Sequence, residues 1–128
     1  MRLLIDTHAL IWFCEGHASL SAGARAALED ESNERLVSHA VPWEMAVKQS
    51  LGKLHLEVDF DVIFPAVLDA NGFQMLPSRL DHYRGLIELP RYHSDPFDRL
   101  MISQAQAEGL TIVTCDAQFS AYGVPLLW

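Results

Sequence analysis

Cysteine is nearly absent: Cys14 and Cys115 are the only two in 128 residues, too few for a disulfide framework and without the close spacing of a thiolate metal motif. Both lie among apolar neighbours and are expected to be inert buried thiols. Basic residues are scarce too. Nine Lys and Arg against 17 Asp and Glu leave a net charge of −8, which argues against a broad electrostatic grip on nucleic acid. Long apolar runs are missing as well: the stretch "MRLLIDTHALIWF" is interrupted by Asp6 and His8, and no small-residue cleavage site follows. Neither a membrane span nor a secretory signal is expected, and the cytoplasm is the default compartment. There is no repeat, linker or low-complexity segment. What remains is half apolar and a fifth charged, an ordinary folded composition. A chain of this length fits one domain, 1–128, that buries roughly two-thirds of the surface its unfolded form exposes.

Short apolar runs alternate with helical patterns. "RLLIDT", "ERLVSHA", "FQMLPS", "LTIVTCD" and the short "VPLLW" read as strands,. Between them, "ALIWFCEG" is a helix ended by Gly16, and "SLSAGARAALEDES" is a helix capped by Ser19 or Ser21,. "VPWEMAVKQSLGKL" is a third, with Pro42 placed for its first turn,. "DFDVIFPAVLDANG" is helical with a kink or a late start at Pro65, and "RLDHYRGLIEL", "DPFDRLMISQAQAEG" and the short "AQFSAYG" follow,. This alternation predicts an α/β fold, three layers with a central, mostly parallel sheet of four to five strands.

Ligands of such sheets gather at the carboxyl ends of the strands. Asp6 and Asp116 each follow a buried apolar run directly, which puts them on that rim. Either could merely cap the helix that follows. Glu44 and Asp98 each stand two residues after a proline that opens a helix. A helix following a parallel strand also begins at the carboxyl edge, so Glu44 belongs there, although the helix dipole alone would favour both acids by about 0.3 to 1 kcal/mol. Asp95 reads as the cap of the helix that carries Asp98. If Asp6, Glu44, Asp98 and Asp116 converge, their repulsion calls for a hard divalent cation, Mg²⁺ or Mn²⁺. Such an ion lowers the pKa of a bound water and neutralises charge on phosphate oxygens, and two ions about 3.5 to 4 Å apart can hold both reacting oxygens, so the chemistry suits phosphodiester hydrolysis.

Other side chains border this edge. Lys48, four residues after Glu44, can pair with it or touch a phosphate,. Arg84, Arg91, His93 and Arg99 form the most cationic stretch of the chain, a solvated face or a contact for RNA phosphates,. His8 is more readily a structural histidine than a proton carrier. Trp12, Trp43 and Trp128 fall in apolar patterns that suit a core or interface better than base stacking, and His17, His39, His55 and His82 show no metal spacing.

The segments "LLIDTHALIW", "PWEMAVK", "DPFDRLMISQA" and "TIVTCDAQF", in this order across nearly the whole chain, resemble the PIN-domain superfamily, in particular the VapC-like toxins of toxin-antitoxin pairs. The resemblance implies an α/β/α domain and a metal-dependent ribonuclease site. It maps Asp6, Glu44, Asp98 and Asp116 onto the family's acids and gives Thr7 the task of orienting a water or the Asp6 carboxylate. It further implies an RNA substrate, an antitoxin partner and a homodimer. Two positions depart from the pattern: Val41 and Pro42 replace a frequent Ser or Thr before the aromatic-Glu pair, and Cys115 replaces a small residue. The competing expectation is a PIN-like fold that serves as a protein- or RNA-binding regulatory module with little catalysis. Haloacid-dehalogenase-type phosphatases need a second Asp where this chain has His8. Receiver domains need an acid after a middle strand, where this chain has Pro77 and Ser78.

Overall fold

A computed structural model describes all 128 residues. Five strands, β1 (Arg2–Ile5), β2 (Glu34–Ser38), β3 (Gln74–Leu76), β4 (Thr111–Val113) and β5 (Leu126–Leu127), form one sheet in the order β3-β2-β1-β4-β5, and every pairing is parallel. Leu3, Leu4 and Ile5 are consecutive in β1, so they point to alternate faces, yet all three are fully buried. Helices therefore cover both sides, which gives the α/β/α layering. In register, Leu4 lies between Leu36 of β2 and Ile112 of β4.

The strand order has a functional consequence. The chain runs outward from β1 through β2 to β3, then returns to lay β4 and β5 on the other side of β1. This reversal places the switch point of the sheet at the carboxyl ends of β1 and β4, where connections leave in opposite directions and open a crevice. The two strand ends are tied there, since the Asp6 N–H donates to the Val113 carbonyl at 3.1 Å.

Helices α1 (Thr7–Glu15), α2 (Ala22–Glu29), α3 (Ala40–Ser50), α4 (Phe60–Val62), α5 (Leu68–Asn71), α6 (Leu80–Glu88) and α7 (Pro96–Glu108) fill the connections. Ser21 caps α2, accepting from the Ala24 N–H at 3.0 Å. Asp95 caps α7, accepting from the N–H groups of Phe97 and Asp98 at 2.9 and 3.0 Å, with Pro96 as first residue and Gly109 in the left-handed region at its end,. None of these helices is long and apolar enough to cross a membrane.

Two local expectations are corrected, and the kink expected at Pro65 is present. Helix α3 begins at Ala40, so Pro42 is its third residue and Glu44 its fifth instead of lying in the first turn. The cause is Ser38, whose hydroxyl accepts from the Ala40 N–H at 3.0 Å and starts the helix earlier. The segment 60–71 is interrupted: Phe64 is non-helical (φ −112°, ψ 106°) ahead of a cis bond to Pro65, and a wide π-type turn (Ile63–Val67) joins α4 to α5. "AQFSAY" is a 3₁₀ turn (Ala117–Tyr122).

Candidate functional site

The crevice at the switch point holds a cavity of about 280 Å³ lined by Asp6, Glu44, Asp98 and Asp116, together with Asp95, Lys48, His8, Trp12 and Cys115. Four different elements bring the acids there. Asp6 ends β1 and caps α1, accepting from the Thr7 N–H at 2.8 Å. Glu44 comes from the second turn of α3 and Asp98 from the first turn of α7. Asp116 follows β4 and caps the 3₁₀ turn, accepting from the Gln118 N–H at 2.9 Å. For Asp6 and Asp116, capping and pocket placement coexist: one carboxylate oxygen serves the backbone while the side chain still lines the cavity.

Neutral hydroxyls orient the acids. Thr7 Oγ1 donates to Glu44 Oε1 at 2.6 Å, so the Thr7 hydroxyl fixes Glu44 while its N–H holds Asp6. Asp6 is oriented by Thr114, whose hydroxyl donates to its Oδ2 at 2.8 Å. Asp98 is oriented by a longer relay. Tyr122 Oη accepts from the His93 N–H at 3.1 Å and from Arg99 Nη1 at 3.3 Å, so its own hydrogen goes to His93 Nδ1 at 2.6 Å. That leaves the remaining ring hydrogen on His93 Nε2, which donates to Asp98 Oδ2 at 3.2 Å,. The Asp98 carboxylate thus keeps one oxygen engaged and one toward the cavity, as metal-binding carboxylates fixed by outer partners do.

The only cation lining the cavity is Lys48, which contacts Glu44. Burial, seconded by Asp95, Asp6, Glu44 and Asp116, pushes the Asp98 carboxyl up to about 8. Burial also lifts Asp6 to about 6, against the lowering effect of its bonds from Thr114 and Thr7. Burial would lower the Lys48 ammonium, but Glu44, Asp95 and Asp98 outweigh it and the net direction is upward. A region in which Asp98 keeps its proton at neutral pH is short of positive charge,. The donors are all hard oxygens and the deficit is cationic, so the residues fit Mg²⁺ or Mn²⁺. They do not form a tight cage. The one place where three potential ligand atoms lie within 4.8 Å of each other is elsewhere, at Asp81, His82 and Glu108. A looser oxygen set suits Mg²⁺, which usually keeps several of its waters.

Several predicted residues fall outside the cavity. Arg99, expected on a solvated or RNA-binding face, is 5% exposed. It donates to the carbonyls of Leu89 and Pro90 at 3.1 and 2.8 Å, because the connection into α7 leaves those acceptors without helical partners,. Arg91 and Arg84 are exposed, and Arg91 lines a separate groove with Ile87 and Pro96. Cys115 is exposed on the cavity wall, not buried, because its strand has already ended at Val113. Cys14 is half-buried, its thiol pushed up to about 11 by burial and by Glu15. Trp43 is exposed and packs edge-on against Phe97 with ring centroids 4.7 Å apart. Sequence reasoning missed Thr114 and Tyr122. For Thr114 a signal existed: like Thr7, it is a hydroxyl residue beside a rim acid at the end of an apolar run.

The PIN domain family model matches residues 3–125. Among solved structures, a chain in the crystal structure of VapBC2 from Rickettsia felis bound to a DNA fragment from their promoter superimposes with a TM-score of 0.73. It is 17% identical, over 98% of this chain and 97% of that one. VapBC-1 from nontypeable Haemophilus influenzae gives 0.67 at 11% identity, covering 98% and 96%. FitAcB from Neisseria gonorrhoeae gives 0.65 at 18%, covering 97% and 95%. At such identities the likeness is one of fold. No curated protein sequence matches the chain. The match over 3–125, together with a five-stranded parallel sheet that gathers four acids at its switch point, establishes that this chain belongs to the PIN domain family.

Proposed function

We propose that residues 1–128 act as one cytoplasmic nuclease domain, a Mg²⁺- or Mn²⁺-dependent endoribonuclease that is the toxin of a toxin-antitoxin pair. The observation that carries this reading is the gathering of Asp6, Glu44, Asp98 and Asp116 in one crevice, with Lys48 as its only cation. Asp6, Glu44 and Asp98 would hold the principal ion, with Asp116 completing the site or serving a second ion. When bound, the ion would acidify a water for attack on the phosphodiester and offset charge on the phosphate oxygens.

The chain's own residues supply positioning. Thr7, Thr114 and His93 hold Glu44, Asp6 and Asp98 in fixed orientations through the bonds given above. Lys48 offsets part of the Glu44 charge. Asp95 acts as scaffold through its cap and adds to the negative field around Asp98. Arg91, exposed near the start of α7, is available to an RNA phosphate,.

The structural neighbours come from VapBC and FitAcB complexes, and the sequence resembles their toxin class. The partner proposed here is accordingly an antitoxin whose tail places an arginine in the acidic crevice or blocks it. A homodimer is proposed on the resemblance alone. The test is cleavage of RNA in Mg²⁺ by the parent and by Asp98→Asn, with mapping of the 5′ ends produced. Equal cleavage by a folded Asp98→Asn protein would overturn the assignment.

A further inference from the structure

The acids explain chemistry but not how a polyanion stays in place. Carboxylates with one ammonium repel RNA, and a net charge of −8 supplies no attracting field. Two residues lining the same cavity carry aromatic rings instead, His8 and Trp12. They stand four residues apart on α1, hence on one helix face, and α1 is anchored to Asp6, its cap. Their ring centroids are 5.6 Å apart. Beyond Trp12 the rings continue: His17 lies 5.9 Å away and nearly parallel at 23°, and Trp128 meets Trp12 edge-on at 5.9 Å. His8, His17 and Trp128 are exposed, and Trp12 is half-buried with one side packed against the core, so this is a row of rings leading from the acids along the surface and anchored at Trp12.

We propose that this row is a base-stacking platform, on which unpaired nucleobases next to the scissile phosphate of a single-stranded RNA lie against Trp12 and His8. The proposal rests on the nuclease reading above and assigns the residues of that site that hold the bases. Stacking needs no positive charge and tolerates any base, so it suits a protein with few cations. Bases inside an A-form duplex already stack on their neighbours and offer no free face, so the platform selects loops, bulges and single strands.

The test uses the Asp98→Asn background, in which bound RNA is not cut, with a short dye-labelled oligoribonucleotide of mixed sequence, unpaired or annealed to its complement. Trp12→Leu should weaken binding of the unpaired strand by about 5- to 150-fold, the loss of one stacked base. Trp12→Phe should bind nearly as well as the parent, and Tyr83→Leu, which removes another exposed aromatic, should change nothing. Tryptophan fluorescence should fall on binding and should no longer fall in Trp12→Phe, a readout that stands even if Trp12→Leu does not fold. Unpaired RNA bound equally by Trp12→Leu, or equal quenching in Trp12→Phe, overturns the platform. Cleavage by the parent, measured alongside, tells that failure apart from failure of the nuclease reading.

Discussion

Two regions of this molecule gather acids around a histidine, and they are built in opposite ways. At the contact of α6 with α7, Asp81, His82 and Glu108 bring potential ligand atoms within 4.8 Å of one another. Every charge there is already answered. Arg79 donates to both Asp81 oxygens at 3.1 and 3.0 Å and lies 3.6 Å from Glu108. His82, fully buried, accepts from the Arg79 N–H at its Nδ1, so its Nε2 carries the hydrogen and donates to Glu108 at 2.9 Å. An ion would have to displace an arginine and reverse a tautomer fixed by the backbone. At the switch point, by contrast, the acids stand farther apart and are oriented by hydroxyls and a neutral imidazole, with a single lysine. Proximity of carboxylates is therefore not what singles out the proposed metal site; the lack of an internal counter-charge is.

The sharpest way to break this comparison is activity. Asp98→Asn is expected to lower RNA cleavage in Mg²⁺ by about a thousandfold or more, the scale of several kcal/mol of lost charge stabilisation, whereas Glu108→Gln should leave it unchanged. Comparable losses in both variants would dissolve the distinction. An effect of the next size lies in positioning: Thr114→Val removes the hydroxyl that holds Asp6 and should lower activity about 10- to 100-fold while weakening Mn²⁺ binding by calorimetry in step. Stability should separate the regions too. His82→Leu leaves the Arg79 N–H and Glu108 without their partner and should cost about 1 to 3 kcal/mol in urea unfolding, with the response to Mg²⁺ intact. In Asp98→Asn that response should vanish, where the parent gains about 2.7 kcal/mol at a hundredfold excess over its Kd.

How far the sequence discloses this contrast depends on the kind of contact. Asp6 and Asp116 are legible because a charge that follows a buried strand can sit only at the sheet rim, and the alternation of elements fixes which rim. Asp95 as cap and Asp98 beyond it follow from the proline between them. The sequence points Glu44 to this edge but starts α3 too late, since the Ser38 hydroxyl bond at the beginning of α3 is a side-chain contact with no periodic trace. Arg99 shows the limit more plainly. A basic residue beside acids reads as surface charge, and only the three-dimensional path of the Leu89 and Pro90 carbonyls explains why it is buried. Tyr122 is invisible for the same reason: its partner His93 lies 29 residues away in the chain.

The smallest expected effect concerns pH without added metal, and its sign runs against the usual carboxylate. Asp98 and Asp6 are held near 8 and near 6, above their ordinary value of 3.8. Between about pH 4 and pH 8 the folded protein thus keeps protons that the unfolded chain has released, and stability must fall as pH rises through that window. The metal-free parent should melt at a higher temperature at pH 6 than at pH 8. Asp98→Asn, which removes the larger shift and keeps an acceptor for His93, should melt higher than the parent at pH 8 and show a flatter slope. Glu108→Gln should keep the parent's slope, because it leaves Asp98 and Asp6 untouched. Adding Mg²⁺ reverses the trend, since an ion at these acids displaces their protons, so the shift it produces should be larger at pH 8 than at pH 6. A metal-free parent that gains stability from pH 6 to pH 8, measured beside a parallel Asp98→Asn curve, would mean that the crevice holds a counter-charge after all, and the two regions would then differ only in spacing.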